Sequence, residues 1–150
     1  MVEMANEIMV ANENTNIANT SNGSNFEIPR GFICTVDITT MQGKLDVMNA
    51  LNGAESLSKR MNETLILKNV VTKIGARAAT GEECINTYLI LNDGTALFSQ
   101  SVGVLDSITV MVGLFTQNGV CDFGEGIPVK CIERTLRNGN TLKVIVPARD

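Results

Sequence analysis

The chain contains no histidine. That removes the side chain most often used as a general acid or base near neutral pH. It also has no G-x-S-x-G, H-E-x-x-H or Walker A pattern. Asp37, Asp46, Glu82, Glu83, Asp93, Asp106, Asp122 and Glu125 are scattered. A metal nuclease needs carboxylates that converge on a cation; solvated surface acids account for this set more simply. The four cysteines, Cys34, Cys84, Cys121 and Cys131, form no C-x-x-C pair. Without histidine, a zinc site would need all four thiolates. Free thiols buried as small hydrophobes are the simpler reading. The chain therefore reads as a non-enzyme with no cofactor and no metal.

Long apolar runs are lacking too. No stretch approaches the roughly 18 to 20 residues of a membrane span. The opening residues Met1-Val2-Glu3-Met4-Ala5-Asn6-Glu7 carry acids where a secretory leader carries lysines. The expectation is a cytoplasmic protein that does not engage a membrane. Positive charge is scarce: 12 Lys and Arg against 16 Asp and Glu leave a net charge of -4. That balance argues against bulk attraction to nucleic acid, although a local basic field can still form.

What is present suits one compact domain: 150 residues, 44% of them hydrophobic. Residues 1–28 stand apart. They are rich in Asn, Ser and Thr, and Glu3, Glu7, Glu13 and Glu27 occur with no basic residue before Arg30. This composition predicts a flexible acidic tail, with one helical turn near 4–10. Residues 29–150 are then the folded domain.

Within that domain, 32–38 reads as a strand. A helix follows Thr39-Thr40, buries Leu45, Met48, Ala50 and Leu51 on one face, and stops at Asn52-Gly53. A second short helix is expected over 54–61, carrying the adjacent pair Lys59-Arg60. Residues 64–78 form a long strand candidate, with Gly75 marking a bulge or bend. Strands over 84–91 and 95–101 flank the tight turn Asn92-Asp93-Gly94. Residues 104–117 read as a helix with Val104, Leu105, Ile108, Met111, Val112 and Phe115 on one side. Asn118-Gly119 ends it, and the glycine-bearing run 119–126 reads as a flexible connection in which Phe123 lies beside a groove. Strands over 127–136 and 141–146 enclose the turn Arg137-Asn138-Gly139-Asn140.

From residue 64 the order is β-β-β-α-β-β, with a first strand long enough to bend and serve both halves of a small barrel. This is the order of an OB-fold. The predicted class is mainly β, a barrel of OB type with one or two short helices.

Most basic residues of the second half fall on three of these strands. Lys68, Lys73 and Arg77 lie on the first; Lys73 and Arg77 share a face by alternation. Lys130 and Arg134 share a face of the fourth, Arg137 sits at the hairpin tip, and Lys143 is on the fifth. Aromatics make up only 4% of the chain, so each counts. Tyr88 and Phe98 are central in the second and third strands, where OB-folds stack bases. Leu97 and Phe98 are adjacent, so one of them faces the core. Phe115 and Phe32 read as core residues. The nine candidate DNA contacts are Lys68, Lys73, Arg77, Tyr88, Phe98, Lys130, Arg134, Arg137 and Lys143.

Several segments in this order resemble small phage and plasmid single-stranded DNA-binding proteins. They are Val36-Asp37-Ile38-Thr39-Thr40, the run 51–57, the run 65–71, Thr80-Gly81-Glu82, Leu91-Asn92-Asp93-Gly94 and Ser101-Val102-Gly103-Val104. The resemblance covers residues 33–146. It implies an OB-fold, sequence-tolerant binding of single-stranded DNA, and protection of that DNA during replication or transfer of a phage or mobile element inside a bacterial host. It departs from the family in two respects: Asn86-Thr87-Tyr88 lacks the basic residue expected before the second-strand apolar run, and the chain is less basic than the family leads one to expect. Replication proteins are the expected partners of the acidic tail, and residues 30–61 are a candidate surface for a homo-oligomer. The alternative function is an OB-fold protein-interaction or structural module that binds no nucleic acid.

Overall fold

A computed structural model describes residues 33–148; the expected tail and its helical turn lie outside them. Helix α1 spans Met41–Gly53. Strand β1, Glu55–Ser56, leads into a 3-10 turn over Leu57–Arg60. Then come β2 (Leu65–Ala76), β3 (Glu83–Leu91), β4 (Ala96–Ser99) and helix α2 (Val102–Leu114). A short hairpin of β5 (Thr116–Gln117) and β6 (Val120–Cys121) precedes β7 (Ile127–Thr135) and β8 (Thr141–Pro147). One six-stranded sheet runs β1-β4-β3-β2-β7-β8 and curls into an OB-like half-barrel, so the mainly β class stands.

Strand β2 is long because it serves two partners on one edge. Its start pairs with β7 along Leu65–Leu67, and its remainder lies beside the segment 33–35. There the Thr72 amide donates to Ile33 O at 2.8 Å and the Thr35 amide to Val70 O at 3.0 Å. The strand expected over 32–38 is thus a short bridge centred on Cys34. The bend is made at Lys68. Opposite β3, Leu67 pairs with Leu91 and Asn69 with Ile90, leaving Lys68 as the extra residue of a bulge. The bulge shifts the alternation: Leu65 and Leu67 point into the barrel before it, Val70 after it. Gly75, the expected site of the bulge, is in regular register with Cys84. Its missing Cβ instead makes room for the Asn86 amide, which would stand 2.7 Å from that atom.

The sheet is apolar on both faces. Val70, Leu89 and Leu97 face the barrel interior with Leu57, Val129, Ile145 and, from α2, Val104 and Ile108. Val71, Tyr88 and Ile90 face outward and are covered by Val47 and Ala50 of α1, with Phe98 packed against them. Thr40 caps α1 by accepting the Gly43 amide at 3.0 Å.

Barrel closure is unusual. The sheet contains no β4–β8 ladder; β4 is paired in parallel with β1 at Leu97 and Phe98. The edge of β8 is satisfied by α2: Ser101 Oγ donates to Lys143 O at 3.3 Å, and the Ile145 amide donates to Ser107 Oγ at 3.1 Å. The helix comes this close because residue 103 is glycine; a Cβ there would stand 2.2 Å from Lys143 O.

Further expectations need correction. Leu45 and Met48 are exposed, and α1 buries Val47 with Ala50 instead. The segment 54–61 is not one helix but a two-residue strand and a 3-10 turn. The helix expected to reach Gln117 stops at Leu114, and Asn118-Gly119 is the tip of a hairpin, both residues at positive φ. The run 119–126 is anchored rather than loose. Phe123 is buried in the core, its ring edge-on to Phe115 at 5.5 Å, while Phe115 is exposed.

Candidate nucleic-acid interface

Along β3 the outward face changes character. Tyr88 and Ile90 are apolar and lie under α1, whereas Asn86 and Cys84 continue the same face beyond it. Lys73 is paired across from Asn86. The Gln100 amide donates to Asn86 Oδ1 at 2.9 Å, extending this polar strip across the end of β4. Arg77 follows directly after β2. Its backbone is fixed by the turn, with its amide donating to Glu82 O at 2.9 Å and its carbonyl accepting the Gly81 amide at 2.8 Å. Its guanidinium reaches over β3 to Gln100 O at 3.5 Å.

This strip ends in a cleft of about 350 Å³ where β4 and β8 part. Ser56, Ser58, Phe98, Ser99, Gln100 and Ser101 line it, and Arg77 and Lys143 supply charge. Both charged residues that line it are basic, in a chain whose net charge is -4. Carboxylates stand one step back: Glu83 is the cross-strand neighbour of Ala76, and Glu133 that of Lys143. A second, smaller groove shares Arg77, Gln100 and Ser101 and adds Cys84, Ile85, Val102, Leu105 and the carboxylate of Glu83, so Arg77 borders an acid on that side.

Of the nine candidate contacts, the structure gathers Arg77, Phe98 and Lys143 in the cleft, with Lys73 on the adjoining strip. Tyr88 is 8% exposed and packs against Phe98, ring centroids 6.2 Å apart, beneath α1. Lys68 is turned to the opposite end, where its ammonium bonds Gly124 O. Lys130 and Arg134 lie across from Val146 and Leu142 on the β7–β8 hairpin, with Arg137 exposed in its turn. That hairpin meets β2 only along Leu65–Leu67, the end of the strand remote from Lys73 and Arg77. Arg60, half of the adjacent basic pair, is engaged with Glu63 at 2.7 Å, a contact that pushes its pKa up.

Sequence reasoning missed the polar lining: Ser56, Ser58, Ser99, Gln100 and Ser101. The one available signal was the uninterrupted Ser99-Gln100-Ser101 after an apolar strand. The four cysteines are free thiols. Burial pushes Cys34 up to about 11, against a weaker lowering by its bond to Val36 O. Burial likewise pushes Cys121 up to about 11. Among the described residues no group of three or more Cys, Asp and Glu is placed to hold a metal ion. No helix there is long and apolar enough to cross a membrane.

An OB-like half-barrel whose outer face runs into a cationic, hydroxyl-lined cleft has the make-up of a nucleic-acid-binding module. Residues 26–145 match the model of the family described as Phage Single-stranded DNA-binding protein, and the chain belongs to that family of Phi29-type phage proteins. No curated protein and no solved structure matches the chain.

Proposed function

We propose that this protein binds single-stranded DNA without sequence preference and without catalysing a reaction on it, protecting the strand during replication or transfer of phage DNA in the host cytoplasm. The observation that carries the reading is the family match over residues 26–145. Arg77 and Lys143 both line the cleft, and Lys73 lies on the polar strip of the outer face that leads to it; this placement supports the reading. Phosphates would meet these cations, and Phe98 is the ring open to the cleft. Lys68, Lys130, Arg134 and Arg137 extend the contact only if the strand wraps beyond this end. Tyr88 would stack a base only if α1 lifted away; as it stands, the ring packs under the helix.

Residues 1–28 carry four glutamates and no basic residue. In this reading they compete with DNA for the cationic end, or recruit replication proteins.

The test is fluorescence anisotropy of a labelled poly-dT oligonucleotide at low and moderate salt, with duplex DNA as competitor. Binding that weakens with salt, because bound phosphates release counterions, and that resists duplex competition is expected. No binding at low salt would overturn the reading in favour of a protein-interaction module.

A further inference from the structure

Resting on the single-strand reading above, we propose that the seam cleft is a discrete subsite that seats one nucleotide, its phosphate between Arg77 and Lys143 and its base against Phe98. Three properties of the cleft point this way. Its volume of about 350 Å³ falls within the range of roughly 300 to 1,000 Å³ typical of small-ligand sites. Its lining combines a guanidinium, an ammonium, serine hydroxyls and one aromatic ring, the groups that suit phosphate, sugar and base in turn. Both charged residues of the lining are basic; the nearest carboxylates, Glu133 across the ladder from Lys143 and Glu83 in the adjoining groove, lie outside it.

The fold accounts for its position. In a barrel closed by a β4–β8 ladder this space would not exist. Here β1 takes the β4 edge, and α2 takes the β8 edge through Ser101 and Ser107. What remains between the two covered edges is the cleft. The cations are set by backbone rather than by chance contact: the β2–β3 turn holds Arg77, and the β7–β8 ladder holds Lys143. The Ser101 hydroxyl donates to Lys143 O, whereas Ser56 and Ser99 accept the Ser58 and Ser101 amides and keep their protons to donate to a ligand, as does Ser58.

The experiment uses the full-length chain, with thymidine 5′-monophosphate and inorganic phosphate as competitors of a labelled poly-dT oligonucleotide. The variants are Arg77→Gln, Lys143→Gln and Phe98→Leu, each checked for fold by circular dichroism and thermal melting. The expected result is competition by the nucleotide well above that by inorganic phosphate. Oligonucleotide affinity should fall roughly tenfold or more for either charge variant, and roughly fivefold or more for Phe98→Leu. The two charge variants combined should lose little more than one alone, because they share one phosphate. Wild-type oligonucleotide binding with all three variants unaffected would overturn the subsite and leave the single-strand reading intact. Equal competition by nucleotide and phosphate would overturn the seating of the base. Failure of the wild type to bind any oligonucleotide would instead overturn the reading on which the subsite rests.

Discussion

Ser107 Oγ lies 3.1 Å from the Ile145 amide nitrogen, so a hydroxyl on a helix takes the place of a strand carbonyl at the barrel seam. The same hydroxyl donates to Gly103 O at 2.8 Å, one turn back on α2. Ser107→Ala strands the Ile145 amide at a site with no other acceptor in place. The expected loss is about 1 to 3 kcal/mol, read from urea unfolding. Faster hydrogen exchange at the Ile145 amide would accompany it; unchanged exchange would mean another acceptor substitutes.

Gly103 is the second element of that seam. A methyl group there collides with the Lys143 carbonyl, which is backbone and cannot swing aside. Gly103→Ala is expected to destabilise by about 1 to 3 kcal/mol through overpacking, although alanine favours helix more than glycine does. Gly113, in the same helix, has open space around its Cβ position. Gly113→Ala should therefore be neutral or stabilising, and a urea-midpoint comparison separates collision from helix propensity.

Basic residues should divide into two groups by salt dependence. Lys73→Ala and Lys143→Ala should each weaken binding for every sequence alike and flatten the logarithmic salt slope by about 0.7 to 1 unit. Arg60→Ala should leave binding unchanged, since its guanidinium is spent on Glu63. Glu133→Gln removes the carboxylate across from Lys143 and should tighten binding severalfold. Anisotropy titrations at several salt concentrations check all four.

Tyr88 provides a test of packing against stacking. Under α1 it fills space between Val47, Ala50 and Phe98. Tyr88→Ala should cost about 3 kcal/mol or more by opening a cavity, with Tyr88→Phe close to wild type. If Tyr88→Ala keeps full stability and loses affinity, the ring stacks on DNA and α1 moves.

Two half-buried thiols set an alkaline limit. Cys34 and Cys121 are raised from 9.0 to about 11 in the folded chain. A raised folded pKa contributes stability fully present below the unfolded value and lost as pH rises through the folded one. The melting temperature should therefore drop between about pH 9 and 11, and drop less in Cys34→Ala, Cys121→Ala protein. At pH 8 both thiols should react slowly with a thiol reagent.

The order of β2, β3, β4, β7 and β8 was legible because each lies in a run of β-branched or apolar residues between turn residues. The Asp93-Gly94 turn shows why: the Thr95 amide donates to Asp93 Oδ1 at 2.9 Å, a local bond that short-range chemistry specifies. Alternation put Leu97 and Phe98 on opposite faces without saying which faced in; the structure turns Leu97 inward and Phe98 outward. The bulge was misplaced because glycine is its usual marker, whereas Lys68 is stabilised from outside, by Gly124 O. The hairpin 116–121 was hidden because Thr116 and Val120 fit a fading helix as well as two short strands; what holds it in place is Phe123, buried in the core with its ring edge-on to Phe115. For the site, cations could be counted onto strands. Whether a strand's edge meets another strand or a helix could not be counted, and that choice creates the cleft.

The covered edges also bear on how the chain assembles. Thr72 to Ile33, Ser101 to Lys143 and Ser107 to Ile145 join residues 39, 42 and 38 positions apart. Such separations raise the contact order, and loop-closure entropy must be overcome before any of these contacts stabilises the fold. As the chain leaves the ribosome, α2 emerges well before β8 and waits with its two serines unmet. A nascent chain stalled before Lys143 therefore lacks most of β8 and one of the two cations that line the cleft.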